Sequence, residues 1–222
     1  MALYAIGDTH LSLGTDKSME VFGGDWGGYV DKLRAGFSQV DGEDTVILCG
    51  DLSWGMSLEE AREDFRFLDR ELPGEKWLLK GNHDYWWTTA AKMNGFFREN
   101  GMDRLHILHN NCALYGEVAL CGTRGWFYEE NAGPHTEKVF RRELIRLGER
   151  EKLCFLHYPP LYKGYRCQEI LDLLGRYGVK ACYYGHLHGP SHRLAIEGRV
   201  DGVDYRLVSA DYLGFQPKKI LD

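Results

Sequence analysis

Residues 77–84 read WLLKGNHD: a short apolar run closes on Gly81 and then delivers Asn82, His83 and Asp84. A similar construction recurs at residues 4–10 (YAIGDTH), 46–51 (VILCGD), 153–158 (LCFLHY) and 182–189 (CYYGHLHG). Short apolar runs bounded by turn residues are consistent with buried strands. In an open α/β sheet, the carboxyl ends of parallel strands form the rim where ligands bind. Five runs therefore bring Asp8, His10, Asp51, Asn82, His83, His157, His186 and His188 toward one rim, and five of the chain's nine histidines lie there. Glycine precedes Asp8, Asp51, Asn82 and His186, which predicts a tight turn where the chain leaves each strand.

Working outward, strands are expected over residues 2–7, 45–50, 76–81, 105–108, 118–122, 153–157 and 180–185. Two more are expected over 192–197 and 199–210, where VDYRLVSA alternates like a half-exposed antiparallel strand. Amphipathic periodicity predicts helices over 29–40, 58–72, 86–100, 136–147 and 168–177, with Ser57 and Glu60 forming a capping box for the second. Strands alternating with helices, and a run of strands at the end, indicate an α/β fold with one mixed sheet or two. No repeat or long linker interrupts the chain, so residues 1–222 read as one domain. Two long irregular segments, 12–28 and 124–135, are expected to serve function, because long loops in compact domains seldom lack a role.

Composition narrows the classes. With 44% hydrophobic and 27% charged residues, the chain can bury a full core, which excludes wholesale disorder. No apolar run approaches the roughly 18 residues of a membrane span, and MALYAIGDTH lacks the features of a signal peptide, so a cytoplasmic location without membrane partners is expected. A net charge of -6 argues against non-specific nucleic-acid binding, yet a bound cation could still reverse the local field for an anionic substrate. The six cysteines form no CxxC pair and mostly sit in apolar runs, so buried thiols are expected rather than a disulfide framework or a sulfur-held metal.

Imidazole nitrogen and carboxylate oxygen without thiolate suit Mn, Fe or Zn. Seven such ligands, one a carboxylate able to bridge, are too many for one ion and fit two. Two neighbouring cations can generate hydroxide at neutral pH and clamp the oxygens of an in-line phosphoryl displacement. The residues alone thus suggest two-metal hydrolysis.

The motifs DxH (Asp8, His10), GD (Gly50, Asp51), GNHD (residues 81–84), a lone His157 and GHxH (residues 185–188) resemble, in order, the signatures of the calcineurin-like metallophosphoesterase family. The resemblance implies a four-layer αββα sandwich of two mixed sheets flanked by helices. It also implies one divalent ion on Asp8, His10, Asp51 and His188 and a second on Asp51, Asn82, His157 and His186, with hydroxide between them attacking phosphorus. His83 would face the phosphate and its leaving group. Asp84 would either orient the His83 ring or cap the following helix. The implied activity is phosphoester hydrolysis of a small phosphorylated substrate.

Departures from the family sort its branches. Trp54 stands three residues after Asp51, where Ser/Thr protein phosphatases carry an Asp followed by Arg, and purple acid phosphatases a metal-binding tyrosine. Indole nitrogen has no lone pair for a metal, so a tyrosinate-type site is excluded and the protein-phosphatase reading is weakened. GNHD resembles the phosphodiesterase and nuclease branches, but only 34 residues (222 minus 188) follow His188, too few for the added domains of recombination nucleases. A phosphodiester or nucleotide substrate is therefore expected. The alternatives are a phosphomonoesterase or Ser/Thr-phosphatase-like activity, and a protein-interaction scaffold like the family's retromer subunit, which the complete ligand set opposes. Trp26, Trp54, Trp86, Trp87 and Trp126 lie beyond strand ends or in loops, where they either stack on substrate or brace the rim. Trp54 and Trp126 are the candidates for stacking, and Arg124 for a phosphate contact.

Overall fold

The computed structural model describes residues 1–125 and 133–222. In the first sheet β1 (Leu3–Ile6), β2 (Thr45–Leu48), β3 (Glu75–Leu78) and β4 (Leu105–Ile107) run parallel, and β13 (Lys218–Leu221) closes the free edge of β1 antiparallel. In the second, β6 (Val118–Thr123), β7 (Lys152–Leu156), β10 (Val179–Tyr184) and β12 (Val203–Leu207) are parallel. Its edges are antiparallel: β5 (Asn111–Tyr115) on β6 and β11 (Gly198–Val200) on β12. A two-stranded hairpin, β8 (Leu161–Tyr162) and β9 (Tyr165–Arg166), stands apart.

The alternation of side chains along each strand sorts three apolar layers. Leu3, Ala5, Ile47, Leu79, Phe155 and Tyr183 face one another between the sheets, where Phe155 stacks on Tyr183 at 5.3 Å. Tyr4, Ile6, Val46 and Leu48 point the other way, onto α1 (Tyr29–Gly36), α2 (Arg62–Arg66) and α3 (Ala90–Glu99) through Leu33, Phe65 and Phe97. On the far face, Cys154, Leu156 and Tyr184 pack against Leu144 of α4 (Gly133–Arg146) and Ile170 and Leu174 of α5 (Gln168–Arg176). The result is the expected four-layer sandwich, and burial of both faces explains why the parallel strands read as continuous apolar runs.

Several elements differ from expectation. The strand expected over 192–197 is instead a 3-10 turn, Gly189–Leu194, opened by Pro190. The long strand expected over 199–210 breaks at Asp201 and Gly202 into β11 and β12, and β12 pairs parallel with β10 as well as antiparallel with β11. Helix 58–72 is regular only over α2 and then widens to a π-turn, Phe67–Glu71. Helix 86–100 starts late, at Ala90, because the Thr89 hydroxyl caps it through the Lys92 amide. Ser57 accepts from the Glu60 amide as expected, but the Glu60 carboxylate reaches the amide of Met56 instead of that of Ser57. Segment 12–28 carries two 3-10 turns, Met19–Phe22 and Gly24–Trp26, and part of segment 124–135 lies outside the described residues.

None of the six cysteines is in a disulfide, and only Cys112 is not buried. Cys112, Cys121, Cys154 and Cys182 form one row across β5, β6, β7 and β10. At the amino ends of the strands two lysines are buried. Lys76 donates from Nζ to the carbonyls of Leu72 (2.7 Å) and Gly74 (2.6 Å), and Lys152 to those of Gly148 (2.6 Å) and Arg150 (2.9 Å). Each ties a central strand to the backbone that leads into it.

Candidate metal centre

The carboxyl ends of β1, β2, β3, β7 and β10 meet at one rim. Backbone bonds stitch their turns together: Asp8 donates its amide to the Gly50 carbonyl (2.8 Å), Gly7 to Val208 (2.7 Å) and Gly185 to His157 (3.1 Å). The His186 amide donates to the Asp8 carboxylate, joining residues 178 apart in the chain and coupling the two sheets. Asp8, His10, Asp51 and His186 all have left-handed backbone, with φ of 58°, 45°, 52° and 73°. Non-glycine residues avoid this region, and strain of this kind gathers at functional sites. Gly50 has left-handed φ (87°), whereas Gly81 and Gly185 serve by being small. A Cβ on Gly81 would overlap the Asp51 carboxylate, and one on Gly185 the Asp8 carboxylate. Close approach, more than turn conformation, therefore explains glycine at these two positions.

The side chains form two trios of metal-binding groups, Asp8 with His10 and His188, and Asp51 with His157 and His186, each trio's ligand atoms within 4.8 Å of one another. Asp51 Oδ2 lies 3.7 Å from His10 Nε2 and 3.6 Å from His157 Nε2, so it stands between the trios. His157 Nδ1 sits 3.1 Å from the Cys49 carbonyl, which fixes the proton there and frees the Nε2 lone pair. That lone pair faces Asn82 Oδ1 at 2.7 Å, and His10 Nε2 faces His188 Nε2 at 3.3 Å.

Electrostatics sharpen the picture. Burial pushes His10 and His157 down to about 3 and also depresses His186 and His83, with the charge of Arg124 adding to the effect at His157, His186 and His83. Burial, then the charges of Asp84 and Asp8, lifts Asp51 to about 8. For Asp8 burial acts upward, but His188, His157 and His10 outweigh it and hold the carboxyl well below its ordinary value. His188 is the reverse case: burial lowers it, while Asp8 and Asp211 together raise it to about 10. Neutral imidazoles at His10, His157 and His186 and crowded carboxylates suit a pair of cations, and His188 would release its proton on taking up an ion.

The calcineurin-like phosphoesterase family model matches residues 1–190. The chain belongs to this family. Among solved structures, a protein of unknown function from Aquifex aeolicus shares 15% identity over 98% of this chain and 95% of its own, with a TM-score of 0.52. A purple acid phosphatase from yellow lupin (Lupinus luteus) seeds shares 12% identity over 100% of this chain, which spans 45% of the lupin chain, with a TM-score of 0.54. At these identities the likeness is one of fold. No curated protein matches the sequence.

In this calcineurin-like phosphoesterase, the remaining candidate residues have distinct places. His83 is half-buried at the open side, its ring 4.6 Å from Trp54 and 5.7 Å from His10, and its amide donates to Asp51 Oδ1 (2.7 Å). Asp84 neither touches the His83 ring nor caps a helix. Its buried carboxylate accepts the amides of Asp51, Leu52, Ser53 and Gly81 and the indole N–H of Trp86, fixing the Asp51 turn against the Asn82 turn. Trp54 stacks on His10 at 5.0 Å. Arg124 lies over the Tyr158 ring at 5.4 Å. Trp86 is core, packed on Phe65, and Trp126 lies outside the described residues. Sequence reasoning missed Asp211, which accepts from His188 Nδ1 at 3.1 Å and also faces His192 at 3.2 Å. Trp26, one of the tryptophans expected either to stack on substrate or to brace the rim, packs edge-on against His10 and His188. Asp211 follows a strand without any motif, and only the fold brings it beneath His188. No helix among the described residues is long and apolar enough to cross a membrane.

Proposed function

We propose that this chain is a cytoplasmic hydrolase of phosphodiester or nucleotide-type substrates, using two divalent ions drawn from Mn, Fe and Zn. The observation that carries the reading is Asp51 standing between two trios of nitrogen and oxygen donors at one buried rim. Asp8, His10 and His188 would hold one ion and Asn82, His157 and His186 the other, with Asp51 shared. Such a pair, when bound, supplies a nucleophile at neutral pH and compensates the charge of a phosphoryl group.

The protein's own groups orient and protonate. The Cys49 carbonyl sets the His157 tautomer, Asp211 sets that of His188, and the Asp84 carboxylate holds the Asp51 turn. His83 Nδ1 lies 3.4 Å from the Tyr85 hydroxyl, so Nε2 is the atom that would give a proton to the departing oxygen. Arg124 would steady the phosphate from the Tyr158 side. The diester preference is supported by GNHD and by Trp54 in place of the Asp-Arg pair of protein phosphatases.

The test is metal analysis of the purified protein with a panel of phosphomonoesters, diesters and nucleotides, comparing parent, His83→Ala and Asp51→Asn. Bound metal near two per chain and loss of turnover in both variants are expected. Parent-like turnover in both would end the mechanism.

A further inference from the structure

A cleft of about 660 Å³ opens beside the Asp8 trio, with His10, His83 and His188 on its floor. Its wall comes largely from segment 12–28: Met19, Phe22 and Trp26, completed by Trp54 and Pro190. The volume is that of a site for a drug-sized molecule, and the wall is apolar. Among the described residues that line it there is no lysine or arginine, Asp25 is exposed at its lip, and Asp211 is already engaged by His188 and His192. Against the wall a second negatively charged group would meet apolar side chains, with the Lys32 ammonium, which donates to the Asp25 carbonyl (2.6 Å), at the lip.

Phe22 and its neighbour Val21 are 72% and 81% exposed on the 3-10 turn at the mouth. The turn begins after Ser18 and is followed by Gly23 and Gly24, both with positive φ. Large apolar side chains left in solvent beside a candidate reaction centre mark a contact surface.

We infer that the cleft receives an uncharged, apolar organic arm of the phosphoester, aryl or alkyl, and that Met19 and Phe22 determine this specificity. The inference rests on the phosphoesterase reading and adds the substrate class. It separates the two sides of the centre: Arg124 and Tyr158 serve the phosphate, and the tryptophan-lined side serves its apolar substituent.

The test measures binding of phosphonates to the Mn²⁺-loaded protein by calorimetry: methyl-, phenyl- and hexylphosphonate, and 6-phosphonohexanoate as a chain with a charged tip. Phenyl- and hexylphosphonate are expected to bind about tenfold more tightly than methylphosphonate, and the carboxylate-tipped chain no better than methyl. Phe22→Ser and Met19→Ser should each reduce the phenyl-to-methyl ratio to below about threefold; the ratio is read within each protein, so partial unfolding does not mimic the effect. A phenyl advantage over hexyl assigns the contact to ring stacking on Trp26 and Trp54, and the reverse order assigns it to a chain; either supports an apolar arm. Equal affinities for all four compounds, or a ratio unmoved in both variants, overturn the inference. If methylphosphonate binds and esters are cleaved without apolar preference, only this inference falls. If nothing binds and no ester is cleaved, the phosphoesterase reading falls with it.

Discussion

The two ends of the strands solve the same backbone problem differently. Where the chain turns into β3 and β10, left-handed backbone is carried by Gly74 and Gly178, at little steric cost. Where it leaves β1, β2 and β10, the same region is occupied by Asp8, His10, Asp51 and His186, at about 1 kcal/mol or more for each. The buried charges differ in parallel. At the amino ends, Lys76 and Lys152 each find two carbonyl acceptors. At the carboxyl ends, lone pair faces lone pair, and the Asp51 carboxyl is lifted to about 8. A buried charge with its partners in place belongs to the scaffold. Strained donors that do not satisfy one another belong to a site.

The contrast breaks most sharply at Asp51. Asp51→Asn keeps the shape but removes the shared charge, and kcat should fall about 10³-fold or more with loss of bound metal. Chelation of the parent should do the same and be reversed by added Mn²⁺. A variant with near-parent turnover would place Asp51 with the scaffold. Asp84 is the intermediate case, a carboxylate at the functional rim with a structural job. Asp84→Ala leaves four amides and an indole N–H without their acceptor, so urea unfolding should show a loss of about 3 kcal/mol as well as weaker metal binding. Unchanged stability would count against that anchoring role.

Asp211→Asn tests support of the ligands from behind. Metal titration should show affinity reduced about 10- to 100-fold, with the fold intact by circular dichroism. Lys76 tests the opposite end. Burial lowers its pKa from 10.5 to about 8, so between these values the unfolded chain retains a proton that the folded chain has released. Stability from this group therefore rises with pH across that window. Relative to Lys76→Met, the parent should gain about 2 kcal/mol in urea unfolding between pH 8 and pH 10. A difference that does not change with pH would show that Lys76 is not desolvated as its burial implies.

Much of this was legible in the sequence because buried parallel strands print as apolar runs and their turns follow at once. Asp8, Asp51, Asn82 and His186 could be read from the glycine before them and the run before that. Where burial is one-sided the signal fails: β5 is an edge strand of mixed NCALY, and β13 is four residues, KKIL. The strand expected over 192–197 lost to Pro190, which favours the start of a helical turn. Roles that depend on distant contacts were not written locally. Asp84 was a choice between two neighbours' roles until the turns packed around it, and Trp86 and Trp54 look alike until one reaches Phe65 and the other His10.

The bond from His186 to Asp8 has a further bearing. A cation seated on Asp8, His10 and His188 would draw its ligands from opposite halves of the sandwich, so it would act as a clasp across the seam. Peeling the halves apart would first require releasing the ion, which adds binding free energy to the unfolding barrier. Divalent supply would then govern how long a folded copy survives heat and proteases, as well as how fast it turns over.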